Sequence, residues 1–511
     1  MFDKICSAVV IAACAIVAAC SSSPVAVDLS PSQDGVRLDY RAPDAETAVR
    51  LSAEIGAASG LETVHDPSDA RRFSVEVGRD ARRSMYPLAA SVGGGRWFIY
   101  APGLLPQCFG RNEVRIGLAG GAASSASCEP DAYLIAHLKN QTPPGAVLSP
   151  EREGVGGAIE IAAVQSLELL SERLGPAPGS SHVIGVSVTP DAPSGIVAHV
   201  DREGAVLFEV RPSFEAGLNA DVLRTQVRPL LRHELFHRWN MTRVAADDGV
   251  PTWFYEGAAE YTGGLISLEV GDFSAVEYEW VLGAMLNRCR VATGAAGLEA
   301  AGQGRVYDYD CGAVASWLLD LDLRRQGADH YAFWRALVSR AARSGTGRYG
   351  RDDIDAVLEQ MGWDAPTWRL FLKGGSPERL VEAVGAAGGA IVHEGAAGDY
   401  RIALLHPLLA ANCESASYGF FDEPAGVTLD VDTVCEVLPS RARISRVAGV
   451  DVAADARGAY LAARRTCDQA KTLTIIANDV PVVLQCAALP EPTASFRILD
   501  AGLREGVHDA V

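Results

Sequence analysis

Between about residues 25 and 145 the chain alternates apolar and polar positions over short runs. Val36-Arg37-Leu38-Asp39-Tyr40 and Phe73-Ser74-Val75-Glu76-Val77 are examples, with Gly and Pro between such runs. A period of two sends alternate side chains to opposite faces of a strand, so this stretch is predicted to be β-rich. From about 150 the period changes. Gly157 to Leu174 reads as an amphipathic helix, His182 to Val188 and Val206 to Val210 as strands, and helices then continue to about Leu372, with Pro229 opening or kinking one of them. After Lys373-Gly374-Gly375 short strands return, among them Gly426 to Val431 and Leu473 to Ile476. The expected fold class is α+β and multidomain: a β-rich domain with its tether over 20–145, a mostly helical domain over 146–375 and a small β domain over 376–511.

Composition narrows this only a little. With 511 residues, 48% of them hydrophobic and 21% charged, the chain can bury two or three cores. A formal charge of −19 repels a phosphate backbone, which speaks against a nucleic-acid ligand.

The chemistry is concentrated in His233-Glu234-Leu235-Phe236-His237 and in Trp253-Phe254-Tyr255-Glu256-Gly257. On a helix, histidines four residues apart leave one face with their rings about 6 Å apart, a separation that one Zn²⁺ can bridge. A catalytic site needs one further protein ligand, and Glu256 follows His237 after 18 residues. Glu234, between the histidines, is then the general base rather than a ligand. Glu260 lies one helical turn beyond Glu256, where it can receive the second ring N–H of a ligating histidine.

This spacing resembles that of the gluzincin metallopeptidases. The runs HELFHRWNMTR from His233 and WFYEGAAEY from Trp253 are most similar to the glycyl aminopeptidase family, with puromycin-sensitive-type aminopeptidases as a second relative. The resemblance is specific over about 230 to 325. It implies a thermolysin-like helical domain, zinc on His233, His237 and Glu256, and hydrolysis of a peptide or protein substrate. Where those families carry Tyr-x-Lys-Gly, this chain has Tyr309-Asp310-Cys311-Gly312, so Tyr309 matches their oxyanion-stabilising tyrosine while Cys311 replaces the lysine; Tyr307 is the alternative donor. It also implies a PDZ-like C-terminal domain, with Tyr418-Gly419-Phe420-Phe421 as its carboxylate-binding loop.

Lys4 and the apolar run Ile5 to Ala19, ending in Val17-Ala18-Ala19-Cys20-Ser21-Ser22, are too short for an ordinary spanning helix. They resemble a bacterial lipoprotein leader over 1–19, with acylation at Cys20 and Ser21-Ser22 marking sorting to the periplasmic face of the outer membrane. Eight further cysteines form four couples, each about twenty residues apart: Cys108/Cys128, Cys289/Cys311, Cys413/Cys435 and Cys467/Cys486. Eight cysteines allow 105 pairings, and pairing within couples is the expectation for an oxidising compartment.

Exopeptidases of these families hold the substrate amine with a Gly-x-x-Glu strand ahead of the zinc helix. Gly157-Ala158-Ile159-Glu160 matches in letters but falls on a predicted helix. Glu209, in Leu207-Phe208-Glu209-Val210, has the right distance without the glycine. A reading of another class is a peptide-binding or scaffolding lipoprotein whose zinc is structural, though such a site has no use for Glu234.

Overall fold

The computed structural model describes residues 25–503 except 33–34, 79–80, 84–85, 93–95, 110–113, 119–132, 138–146, 149–154, 177–183, 190–191, 193–194, 201–203, 294–296, 301–303, 305, 395–396, 414–419, 424–425, 430–434, 436, 440–441, 491 and 493–494. Cys20, Cys128 and the Tyr418-Gly419 pair lie outside the described residues. The fold is α+β and multidomain, and the chain divides into two compact units.

The first unit comprises residues 1–152, 180–191 and 201–209. Strands β1 (Val25–Pro31) and β2 (Gly35–Arg41) are antiparallel, and β2 pairs onward with β4 (Arg72–Gly78), which pairs with β3 (Thr63–His65). The period of two in β2 works as expected: Val36, Leu38 and Tyr40 are buried, and Tyr40 stacks on Phe73 of β4 at 4.6 Å. A helix stands within the stretch expected to be β-rich. It is α1 (Ala45–Ser59), capped by the Asp44 carboxylate on Thr47 N–H and closed by Gly60 at φ 73°. Strands β5 (Ala89–Ser91) and β6 (Arg96–Tyr100) join the same core. Strands β7 (Ile184–Val188) and β8 (Val206–Val210) lie side by side in a further sheet.

The second unit comprises 153–179, 192–200 and 210–511. Helix α2 (Val155–Leu174) packs against α3 (Arg228–His237), and α3 packs against α4 (Thr252–Glu269). Pro229 sits inside a longer helical run rather than at its start. Its ring lacks an N–H and collides with the carbonyl four residues back, and the run accommodates it with a wide π-turn over Leu223–Val227. A second π-turn, Arg238–Arg243, follows the histidine pair. Helices α5 (Ala275–Thr293), α6 (Gly312–Arg324) and α7 (His330–Arg343) complete this core, with the π-turn Val306–Cys311 leading into α6.

Residues 376–511 belong to the same compact unit and carry helices besides strands. Helix α8 (Pro377–Ala386) is followed by β9 (Ala390–Glu394), α9 (Ala397–Asn412), β10 (Phe420–Glu423), β11 (Gly426–Leu429), β12 (Arg443–Val447), α10 (Ala456–Gln469), β13 (Thr472–Ala477) and β14 (Val480–Gln485). The sheet runs β10-β11-β12-β13-β14, and β9 pairs instead with β15 (Ser495–Asp500). Among the described residues, disulfides join Cys289–Cys311, Cys413–Cys435 and Cys467–Cys486, each within its couple. Among the described residues no helix is long and apolar enough to cross a membrane.

Candidate metal centre

Two glycines set the spacing of the helices around the centre. A Cβ at Gly263 of α4 would lie 2.7 Å from the Pro229 carbonyl oxygen and 3.2 Å from His233 N, so only a bare α-carbon lets α4 lie flat on α3. At Gly257 a Cβ would fall 2.1 Å from the α-carbon of Gly312, which brings α4 into backbone contact with the start of α6. These approaches place Glu256, the histidine pair and the turn before α6 around one point.

Helix α3 presents His233 and His237 on one face, and Glu256 arrives from the first turn and a half of α4. His233 Nε2 is 3.0 Å from His237 Nε2, and Glu256 Oε2 is 3.3 Å and 3.2 Å from the two. Donors held about 2.0–2.1 Å from a tetrahedral zinc stand roughly 3.3 Å from one another, so the three atoms are spaced as three corners of such a site.

The opposite ring nitrogens fix the tautomers. Asn240, three residues after His237, donates from Nδ2 to the Tyr255 carbonyl at 3.0 Å, so its Oδ1 must accept, and it accepts from His237 Nδ1–H at 2.9 Å. His233 Nδ1–H donates to Glu260 Oε2 at 3.1 Å. Both Nε2 lone pairs therefore point at each other and at a carboxylate oxygen, an arrangement that repels itself unless a cation lies between. The surroundings are also strongly anionic, so that without a metal the same carboxylates draw a proton onto His233 in its place. Burial alone would lower the His233 pKa, but hydrogen bonds to Glu256 and Glu260 and the charge of Glu234 push it up to about 10. Burial works against ionisation of Glu256, yet the histidines hold its carboxyl well below the usual range. His233, His237 and Glu256 are the group suited to a metal among the described residues, and an N₂O donor set with one open position suits zinc.

Glu234 is 7% exposed, and nothing among the described residues hydrogen-bonds its carboxylate. The Tyr309 ring stacks on His233 with centroids 5.6 Å apart, whereas the Tyr307 hydroxyl donates to the Ala292 carbonyl at 3.2 Å. Of the two tyrosines, Tyr309 is the one at the centre.

Glu209 is already engaged. It belongs to the first unit, is 1% exposed, and both its oxygens accept from the Arg82 guanidinium at 2.7 and 2.6 Å. A substrate amine would have to displace that guanidinium. Glu160 is on α2, as expected of a chance match.

Behind the centre lies a clamp that sequence patterns did not single out. Arg232 is fully buried and donates to Ser166 Oγ of α2, Ser267 Oγ of α4 and Asp272 Oδ2, while Arg228 donates to Asp272 Oδ1. The residue beside His233 thus ties three elements together. Asn240 was also missed, although its position three residues beyond a ligand-type histidine was the available signal.

The described fold is similar to the crystal structure of an aminopeptidase N family protein from Idiomarina loihiensis, with a TM-score of 0.54 over 94% of this chain and 99% of that one, at 15% identity. At that identity the likeness is one of fold. No protein-family model matches the sequence, and neither does any curated protein.

Proposed function

We propose that the chain is a zinc metallopeptidase of the bacterial cell envelope, anchored through a lipidated Cys20 at the periplasmic face of the outer membrane. One observation carries the peptidase reading: two bare Nε2 atoms and a carboxylate oxygen lie 3.0 to 3.3 Å apart, with both Nδ1 protons already committed. His233, His237 and Glu256 would hold the metal. When bound, zinc polarises a scissile carbonyl and makes water acidic enough to attack near neutral pH. Glu234, which has no hydrogen-bond partner among the described residues, takes the proton of the attacking water on its carboxylate and passes it to the leaving amine. Tyr309 donates its phenol proton to the carbonyl oxygen as charge builds there. Glu260 and Asn240 hold the two imidazoles in the tautomer this requires.

The test of the centre is metal analysis with activity. Wild type should carry about one zinc, His237→Ala should lose it, and Glu234→Gln should keep zinc and lose peptide hydrolysis. Zinc undiminished in His237→Ala would remove the site. The fold neighbour supports an aminopeptidase mode, to be tested with peptides bearing free and acetylated N-termini; equal cleavage of both would leave the hydrolase and remove the amine requirement. Incorporation of labelled palmitate, lost in Cys20→Ala, tests the anchor.

A further inference from the structure

The π-turn Val306–Cys311 delivers Tyr309 to His233, and three of its other side chains are fastened to one stretch of α5. Tyr307 donates to the Ala292 carbonyl at 3.2 Å. Asp310 accepts from Arg288 through both oxygens, at 2.6 and 2.9 Å. Cys311 is joined to Cys289, and both are fully buried. Tyr307, two residues before Tyr309, and Asp310 and Cys311 after it are thus pinned to α5, and the Tyr309 ring faces His233.

The same stretch of α5 is held from its other side by the C-terminal part of the chain. Asn287 donates to the Phe496 carbonyl at 3.0 Å and accepts from Phe496 N–H at 2.7 Å, pairing with β15 as a neighbouring strand would. Ala501, just beyond β15, accepts from Trp317 of α6 at 3.0 Å. Asn287, Arg288 and Cys289 are consecutive, so strand contact, ion pair and disulfide act on a single helical turn.

We propose that Asn287-Arg288-Cys289 is a positioning relay: β15 fixes this turn of α5, and the turn aims Tyr309 at the metal centre. The proposal rests on the peptidase reading and adds to it that the C-terminal strand is part of the catalytic apparatus, although it contributes no group to the reacting atoms. A bidentate pair one residue from Tyr309 and a disulfide two residues from it constrain its position far more than two exposed charges would.

The experiment is a double-mutant cycle on the full-length, zinc-loaded protein. Tyr309→Phe should lower kcat about 100-fold through loss of one oxyanion donor. Arg288→Met should keep full zinc and KM within about twofold while lowering kcat about tenfold, and Asn287→Ala should give the same split at about threefold. In the Tyr309→Phe background neither change should cost anything further, because the group they position is gone. Arg288→Lys, which keeps the charge but loses the fork, should recover part of kcat. Additive losses in the cycle, or loss of zinc in Arg288→Met and Asn287→Ala, would overturn the relay while leaving the peptidase intact. Full activity in Glu234→Gln would overturn the peptidase reading, and the relay with it. Thermal midpoints taken alongside separate a misaimed tyrosine from a misfolded chain.

Discussion

The helices around the metal centre and the C-terminal lobe over residues 397–489 belong to the same compact unit but are held together differently. Around the centre the buried contacts are polar and directional. Arg232 satisfies three acceptors without exposure, and Asp320, also fully buried, accepts from the Tyr261 hydroxyl, Arg324 and the His330 backbone. The lobe instead closes over Leu404, Leu405, Leu408, Leu409, Val427, Ile444, Ile475 and Leu484, with two disulfides near its rim. Apolar burial is indifferent to direction, and a buried charge is tolerated only where its partners are fixed. The difference marks which region must hold atoms to tenths of an ångström.

The contrast can be broken most forcefully at its polar end. Glu234→Gln, isosteric and without a proton-accepting oxygen pair, should cut kcat by three orders of magnitude or about 4 kcal/mol while zinc content and melting temperature stay put. Arg232→Met should destabilise by about 3–5 kcal/mol in denaturant titrations, since Asp272 then keeps only one of its two guanidinium partners, and Arg232→Lys should rescue little of it. If Arg232→Met were neutral, the clamp would be decoration. In the lobe, replacing Cys467 and Cys486 by Ser should cost about 3 kcal/mol, from opening a loop of 19 residues, with zinc retained.

A pH titration probes both regions at once. Burial pushes His330, in the helical core, and His406, on α9 of the lobe, down to about 4, in the latter case helped by the charge of Arg288. Their unfolded forms protonate near 6.5, so the unfolded chain binds more protons in between. The stability they contribute is complete above pH 6.5 and is lost as pH falls through 4, with a slope of up to about 1.4 kcal/mol per unit for each. Melting curves between pH 7.5 and 4.5 should show it, and His330→Gln should flatten the curve. The smallest effect expected is Leu408→Met in the lobe, below about 1.5 kcal/mol by calorimetry, because a volume-conserving swap suits a directionless core.

What could be read beforehand follows the distance over which each signal acts. The histidine pair and Glu260 were legible because helical spacing alone puts them on a face, and the Cys289–Cys311 couple was legible from its short separation. Asn240 is just as close to His237, and its spacing is a signal, but asparagine is so common at helix ends that the spacing is easily passed over. The Arg82–Glu209 pair spans 127 positions, beyond any local period, and it claims the carboxylate that spacing offered to a substrate amine. Helix α9 was missed among expected strands because its apolar residues fall on all sides, as suits an element packed against both α10 and α5; no amphipathic period remains to be seen. Helix α1 did carry such a period, at Ala48, Leu51, Ser52 and Ile55, and was obscured by the strands on either side.

A π-turn is an α-helix with one residue too many. The ten-residue segment bearing His233 and His237 has one such turn before it and another after it, so its rotational phase is uncoupled from both flanks. Removing one residue from Leu223–Val227 or from Arg238–Arg243 would let that turn close to ordinary helix, without the rotation of about 100° that a deletion inside Arg228–His237 would impose on the imidazoles. Chains descended from the same ancestor should therefore differ in length at those two places and nowhere between them, a pattern that aligned relatives would reveal as paired single-residue gaps bracketing an ungapped core.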